Sequence, residues 1–187
     1  MRIFLIGLLI LASVEVHALS VSDVRQECHG ARKRVVTKVS FNLQVGGDAG
    51  VPGLLYIAVH NPTSEQATLF SPDGGWQEWE GGMLPIFQVM RDGLQDMNIE
   101  IPLGANFSKF RGHPLYVGYG LYLPGMEEHV RKWRLGLEKA REKFPDRQLY
   151  DPGDDYVRRA FVEKEMKDSE RYLKVVDIAV TGCALSD

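Results

Sequence analysis

Hydrophobic and polar side chains alternate between residues 35 and 45. The odd positions carry Val35, Thr37, Val39, Phe41, Leu43 and Val45, and the even positions from 38 carry Lys38, Ser40, Asn42 and Gln44. A period of two is typical of a strand with one buried face. The segment therefore predicts a half-buried strand, ended by the glycine-rich residues 46–50.

Further strands are predicted at short intervals along the chain. The candidates, separated by turns rich in Gly, Pro, Asn and Asp, are Leu54 to His60, Ala67 to Phe70, Trp76 to Trp79, Ile86 to Met90, Met97 to Ile101 and Leu115 to Leu123. In the last of these, Leu115, Val117, Tyr119, Leu121 and Leu123 share one face, and Tyr116, Gly118, Gly120 and Tyr122 share the other. Many short strands with closely spaced turns are typical of an antiparallel sandwich or barrel.

The hydrophobic period changes after residue 125. Apolar residues recur there at steps of four and three, at Met126, Val130, Trp133, Leu137, Ala140 and Phe144. This spacing predicts an amphipathic helix that Pro145 ends. A second helix is expected from Asp154 to about Glu170, with Asp154 or Asp155 as its N-cap. Strand character returns from Tyr172 to Thr181.

These elements predict a mainly β fold. We expect an antiparallel β-sandwich, Ig-like or similar, with a two-helix insertion at about 125–171 before the last strand. The last strand needs neighbours, so we expect it to pair back into the sheet. The chain has 187 residues, of which 44% are hydrophobic and 25% charged. This composition fits one domain over residues 19–187 and argues against a disordered, collagen-like or polytopic membrane protein.

The first eighteen residues have the features of a secretory signal peptide. Arg2 precedes an apolar run from Ile3 to Val14, and Val16-His17-Ala18 places short residues at the −3 and −1 positions of a cleavage site. The run is shorter than the roughly 20 residues that span a bilayer, so an uncleaved anchor is the weaker alternative. We therefore expect a periplasmic or secreted protein with no transmembrane segment after signal cleavage.

The chain has two cysteines, Cys28 and Cys183, one near each end of the expected mature protein. In an oxidising compartment we expect them to form a disulfide bond. The bond would close a loop of about 155 residues, for which the chain-entropy argument gives about 5 kcal/mol. Two buried free thiols are the alternative. Neither cysteine has the spacing of a metal site, so we expect no metal.

Charge and motifs exclude several classes of function. The 22 Lys and Arg residues against 25 Asp and Glu give a net charge of −3, without the basic excess that nucleic-acid binding needs. The sequence contains no P-loop, GxGxxG, Gly-x-Ser-x-Gly or HExxH motif. We therefore expect no nucleic-acid partner, no cofactor and no catalytic residue of these families.

Aromatic residues are the best candidates for binding. Trp76 and Trp79 are three apart, so a strand directs them to opposite faces and one of them is expected in the core. The other, together with Tyr56, Tyr116 or Tyr122, would present an aromatic surface to a sugar ring or a partner side chain. The candidate binding residues are thus Trp76, Trp79, Tyr116 and Tyr122. The alternative is that both tryptophans are core and rim residues of the sandwich.

An acidic cluster lies in the same segment. Glu78 and Glu80 share a parity, and Asp73 lies just before their strand. Two carboxyl groups that flank a glycosidic bond would hydrolyse it. A solvated strand face explains the same residues without catalysis.

Two stretches resemble a small β-sandwich module of exported bacterial proteins. They are Gly74-Gly75-Trp76-Gln77-Glu78-Trp79 with Gly81-Gly82-Met83-Leu84-Pro85, and Leu115-Tyr116-Val117-Gly118-Tyr119-Gly120. The resemblance covers about residues 54–123 and implies an extracytoplasmic binding or assembly role, without catalytic residues.

We therefore expect an exported, non-catalytic binding or assembly module of the bacterial cell envelope that recognises a protein partner, a surface appendage component or a glycan. The alternative is a wall or glycan hydrolase that uses Glu78 or Glu80 with Asp73. A third class, a structural accessory of a larger assembly, predicts that the apolar face of the Met126 helix is exposed in the isolated chain.

Overall fold

The computed structural model describes residues 19–29, 35–64, 66–104 and 107–179. The predicted signal peptide and Cys183 lie outside these ranges. The strands within them are β1 Ser20–His29, β2 Val35–Gln44, β3 Gly53–Asn61, β4 Gln66–Ser71, β5 Gly75–Glu78, β6 Gln88–Met90, β7 Met97–Pro102, β8 Pro114–Leu121 and β9 Tyr172–Asp177. The helices are α1 Phe107–Phe110, α2 Met126–Lys143 and α3 Asp154–Asp168.

The strands form two antiparallel sheets. The smaller has the order β1-β2-β7, and the larger has the order β5-β4-β3-β8-β9, with β6 beside the first half of β3. Phe41 pairs with Ile99 in the smaller sheet, and Ile57 pairs with Val117 in the larger one. The mainly β prediction is confirmed, and so are the helical insertion before the last strand and the pairing of that strand with a neighbour.

One hydrophobic core contains residues of both sheets. The predicted alternation is confirmed, because Val39, Phe41 and Leu43 of β2 are buried. They belong to the same cluster as Leu55 and Ile57 of the larger sheet. Each such side chain contributes about 1.5–3 kcal/mol when it leaves water, so this cluster supplies much of the favourable free energy of folding.

Helix α3 covers the other face of the larger sheet, which we call the outer face. Leu54 and Tyr56 of β3 point to this face and form a second cluster with Val162 and Met166 of α3. Gly120 of β8 makes the close approach of α3 possible. A Cβ atom at Gly120 would lie 2.2 Å from the carbonyl oxygen of Val162.

Helix α2 packs mainly through its first turns. Only Met126 and Val130 of its described residues are buried, whereas Phe144 at the end of the apolar stripe is 38% exposed. Trp133 is half-buried. The stripe that predicted a packed face is thus covered at one end and open at the other. Among the described residues, no helix has both the length and the apolarity to cross a membrane.

The start of α3 differs from the prediction. Gly153 occupies the N-cap position, and no side chain caps the helix. Asp154 forms an ion pair with Arg134 of α2, and Asp155 pairs with Arg158. The predicted capping role of these two aspartates is therefore wrong. Both lie in the first turn, where a negative charge is favourable beside the positive end of the helix dipole.

A polar cluster joins the two sheets and α3 at one edge. The Tyr119 hydroxyl donates to Asp48 Oδ2 at 2.8 Å, and Arg171 Nε donates to the same oxygen at 2.8 Å. Arg171 also donates to Glu165, whose other carboxylate oxygen accepts the Leu121 N–H at 2.9 Å. The buried Tyr119 hydroxyl and the main chain of β8 are thereby satisfied.

We expect Gly120→Ala to lower the free energy of unfolding by about 1–3 kcal/mol, because the new Cβ atom collides with the main chain of α3. The matched control is Gly136→Ala in α2, where no atom lies within 4 Å of the new Cβ. The control should raise stability by up to about 1 kcal/mol through helix propensity. Urea denaturation of both variants measures the difference. Equal stabilities would contradict the packing described here.

Candidate functional site

A groove of about 330 Å³ lies on the outer face of the larger sheet beside α3. We call it the outer groove. Its lining residues are Tyr56, Ala58, His60, Ala67, Leu69, Leu84, Tyr116, Val117, Gly118, Met166 and Tyr172. Most are apolar, and the size is at the lower end of the range for ligand pockets.

Small side chains on the outer face create this groove. Ala58 and Ala67 lie on the neighbouring strands β3 and β4. Gly118 of β8 is covered instead, because a Cβ atom there would lie 2.8 Å from the Tyr172 Cβ. Where larger residues such as Leu54 point to the same face, α3 covers them. The groove is thus the part of the outer face that has little side-chain volume of its own.

Tyr116 is the predicted binding residue that lines the outer groove. It is half-buried and lies on the same face of β8 as Gly118. Tyr122 follows β8 and packs against the hydrophobic cluster beneath α3. Burial raises the pKa of the Tyr122 phenol. The two tyrosines therefore share a face but have different surroundings.

The two tryptophans are separated, as their spacing predicted. Trp76 packs beside the core between Phe70 and Phe110, with ring centroids 5.2 and 4.7 Å away, and its indole N–H donates to the Pro102 carbonyl oxygen at 2.8 Å. Trp79 is 36% exposed, donates to the Gly82 carbonyl oxygen at 3.3 Å, and has the Lys167 ammonium 5.9 Å from its ring centroid. Neither residue lines the outer groove.

The acidic residues of the hydrolase alternative are all exposed. Asp73, Glu78 and Glu80 lie at or beside the edge strand β5, and none of them lines the outer groove. Glu78 forms an ion pair with Lys109 at 3.5 Å. Within the described part of the chain, no three His, Cys, Asp or Glu residues are placed to hold a metal ion.

A buried carboxylate lies where α3 meets the chain between β5 and β6. Glu163 is 6% exposed, and its Oε1 accepts the Leu84 N–H at 2.9 Å. The Arg159 guanidinium donates to the Leu84 carbonyl oxygen, and its Nε lies 3.5 Å from Glu163 Oε1. Burial raises the pKa of Glu163, although the Leu84 N–H and Arg159 act in the opposite direction.

Two buried donors next to Leu84 lack a hydrogen-bond partner among the described residues. They are the hydroxyl of Tyr56 and the Nε of Arg159. Burial also raises the pKa of the Tyr56 phenol, so it stays protonated. Sequence reasoning missed Arg159 and Glu163 because an i, i+4 pair of opposite charge on a helix is typical of a solvated surface.

We expect Glu163→Gln to change how stability depends on pH. The folded-state pKa of Glu163 is above that of the unfolded chain, so its contribution to stability is complete below the unfolded-state pKa and is lost as pH rises through the folded-state pKa. Glutamine does not titrate. The wild type should therefore gain free energy of unfolding relative to Glu163→Gln as the pH falls from neutrality toward about 4.3.

Urea denaturation across this pH range measures the effect, with the exposed Glu142→Gln as the control. A constant difference between Glu163→Gln and the wild type at every pH would contradict the expectation.

Comparison of the chain with models of protein families, with curated proteins and with solved structures found no match. The described residues themselves therefore supply the observations from which we infer a function.

Proposed function

We propose that this chain is an exported, non-catalytic binding module of the bacterial cell envelope, and that its outer groove holds an apolar segment of a protein partner. The outer groove is the observation that carries the proposal. An apolar concavity on a folded surface, rimmed by a few hydrogen-bonding side chains, is the usual form of a binding site. Tyr116 and Tyr172 supply such side chains here.

The lining of the groove favours a protein over a glycan or another polar ligand. Sugar hydroxyl groups that leave water need hydrogen-bond partners, and each unpaired group is costly. Ala58, Ala67 and Met166 offer none through their side chains. An apolar side chain of a partner forms no hydrogen bonds with water, so it gives up none when it enters such a surface. Aromatic residues are also enriched in protein interfaces.

We further propose that the two sheets form a β-sandwich, which their shared hydrophobic core supports. In a sandwich, one face of the larger sheet packs against the smaller sheet, so the outer face is the one that can carry a binding groove. The resemblance of residues 54–123 to an exported bacterial module supports the envelope location, as does the apolar leader that precedes residue 19.

We also propose that Cys28 and Cys183 form a disulfide bond. Gln26 in β1 supports this pairing, because its side-chain Nε2 donates to the Asp177 carbonyl oxygen at 3.2 Å and its Oε1 accepts the Ala179 N–H at 3.0 Å. Cys28 follows Gln26 by two residues, and Cys183 follows Ala179 by four. Four residues span up to about 14 Å, which allows Cys183 to approach the end of β1.

Assembly through α2 is a second candidate function. The observation that favours it is the open end of the α2 stripe, where Phe144 is 38% exposed. A partner that covers this end would make the chain a structural accessory of a larger complex. The outer groove and this helix end lie on different elements, so variants can separate the two functions.

A pull-down from envelope extract tests the groove. We expect residues 19–187 to retain a partner, and Tyr116→Ser to weaken retention about tenfold, which corresponds to about 1.4 kcal/mol for an aromatic contact residue. The matched control is Tyr150→Ser, because Tyr150 is 77% exposed and lies outside the groove. Circular dichroism checks that each variant is folded.

Other outcomes of this pull-down identify the alternatives. Loss of the partner only in a Phe144→Ser variant would support assembly through α2 and contradict binding in the groove. Degradation of wall or glycan fractions that Glu78→Gln abolishes would establish the hydrolase instead.

We expect mass spectrometry of the exported protein, digested without reduction, to yield a linked peptide that contains Cys28 and Cys183. Replacement of Cys28 by serine should lower the free energy of unfolding by about 2–5 kcal/mol. The control is Thr63→Ser, a substitution at an exposed position. Alkylation of both thiols without prior reduction would contradict the disulfide.

A further inference from the structure

The segment between β5 and β6 crosses the outer face and is held at both ends by the sheet. We call residues 80–86 of this segment the Leu84 loop. Before the loop, the Trp79 N–H donates to the Ala67 carbonyl oxygen at 2.9 Å, and after it the Phe87 N–H donates to the Leu55 carbonyl oxygen at 2.9 Å. Leu84 is the buried residue of the loop.

Both main-chain groups of Leu84 bond to side chains of α3. Glu163 accepts its N–H, and Arg159 donates to its carbonyl oxygen. Its side chain packs in the cluster that contains Tyr56, Leu69 and Met166. One acceptor, one donor and one apolar pocket are the contacts that a binding site makes with a single residue of an extended peptide. We call this arrangement the Leu84 seat.

The Leu84 loop leaves part of the seat unused. The Tyr56 hydroxyl is buried without a hydrogen-bond partner among the described residues. In the part of the chain that the structure describes, the Arg159 Nε has only an ion-pair contact with Glu163 Oε1, at 3.5 Å. An unsatisfied buried polar group is unfavourable, and an occupant with a further acceptor would remove that cost. The loop therefore fits the seat incompletely, although its apolar side chain is buried.

Two glycines form the entrance to the loop, and the Trp79 indole N–H, which donates to the Gly82 carbonyl oxygen at 3.3 Å, must give up this contact when the loop leaves. Gly81 and Gly82 have φ values of +111° and +80°, and no atom lies within 4 Å of a Cβ atom built at either position. Leu84 also lines the outer groove, so the seat and the groove form one continuous surface. A segment that displaces Leu84 would extend directly into the groove beside Tyr116.

We propose that the Leu84 loop is an internal occupant of a peptide-binding seat, and that the ligand is an extended partner segment with a leucine-like side chain that takes its place. This proposal rests on the function proposed above and names its ligand class. The partner's main chain bonds to Glu163 and Arg159, one further carbonyl group accepts from the Tyr56 hydroxyl, and its next residues lie in the outer groove.

Displacement has a consequence for affinity. A tethered loop competes at a high effective concentration, so a free peptide binds the intact chain only through the small fraction with an open seat. Removal of the Leu84 side chain should increase that fraction. The intact chain is thus expected to bind weakly, and a variant with an unseated loop is expected to bind more tightly.

The test uses residues 19–187 and a labelled synthetic peptide with the sequence of residues 80–87, Glu-Gly-Gly-Met-Leu-Pro-Ile-Phe. By fluorescence anisotropy, we expect the Leu84→Ser variant to bind it at least tenfold more tightly than the wild type. Leu135→Ser, an exposed leucine-to-serine change on α2, should bind like the wild type. A peptide with serine in place of its leucine should not bind any variant.

Further variants report on the polar contacts. In the Leu84→Ser background, Arg159→Met removes the donor and should weaken peptide binding at least tenfold. Glu163→Gln retains an acceptor and should change it less than threefold. Equal peptide affinity of Leu84→Ser, Leu135→Ser and the wild type would overturn the proposal.

If Leu84→Ser does not fold, hydrogen exchange of the wild type tests whether the peptide displaces the loop. Millimolar peptide should accelerate exchange in residues 80–86 while α3 remains protected, whereas unchanged exchange overturns the proposal. A partner retained through Tyr116, together with no peptide binding, overturns this inference and leaves the proposed binding function intact.

Discussion

The larger sheet has apolar side chains on both faces, and most of the structure follows from the need to cover each of them. In β3 the successive residues Leu54, Leu55, Tyr56 and Ile57 are all buried, although alternate residues of a strand point in opposite directions. The smaller sheet covers one face, and α3 covers the other. The helical insertion before β9 is therefore part of the folded core, because its removal would expose Leu54 and Tyr56 to water. Gly120 allows α3 to lie close enough to exclude water from them.

Helix α3 shields the outer face from water, so it also has to supply hydrogen-bond partners for the main-chain N–H groups that it covers. Glu163 accepts the N–H of Leu84, and Glu165 accepts the N–H of Leu121. Because a buried main-chain N–H without a partner is unfavourable, these carboxylates replace hydrogen bonds that a neighbouring strand would otherwise supply. Arg171 then offsets the charge of Glu165 and joins it to Asp48. The helix thus has a hydrophobic and a hydrogen-bonding role along one surface, which its sequence pattern alone does not show.

Sequence periodicity predicted the elements whose pattern is unbroken and failed where the backbone departs from it. Strand β2 and helix α2 end within about one residue of their predicted limits, because alternation and four-three spacing continue through both. Strand β1 was missed: its pairing shifts register between Ser22 and Arg25, and Asp23 has a φ of +51°, so its side chains do not alternate regularly. Of the four candidate binding residues, Tyr116 lies in the groove, but its neighbours there come from distant segments. The groove lies where α3 no longer covers the outer face, and the position of α3 on the sheet is not encoded by any local sequence pattern.

The position of the Leu84 loop explains why it, rather than the helices, is the element that a ligand can replace. Its ends are held by sheet hydrogen bonds at Trp79 and Phe87, so release of Leu84 does not require any strand pairing to open. Release of α3 would instead expose the whole cluster around Leu54 and Val162 and leave the Leu121 N–H without its acceptor. Exchange at the Leu84 seat therefore involves the Leu84 side chain, the partly buried Ile86 beside it, and the hydrogen bonds of the loop with Glu163, Arg159 and Trp79. A partner segment that supplies the same contacts, and an acceptor for the Tyr56 hydroxyl, needs little additional contact in the outer groove to displace the loop.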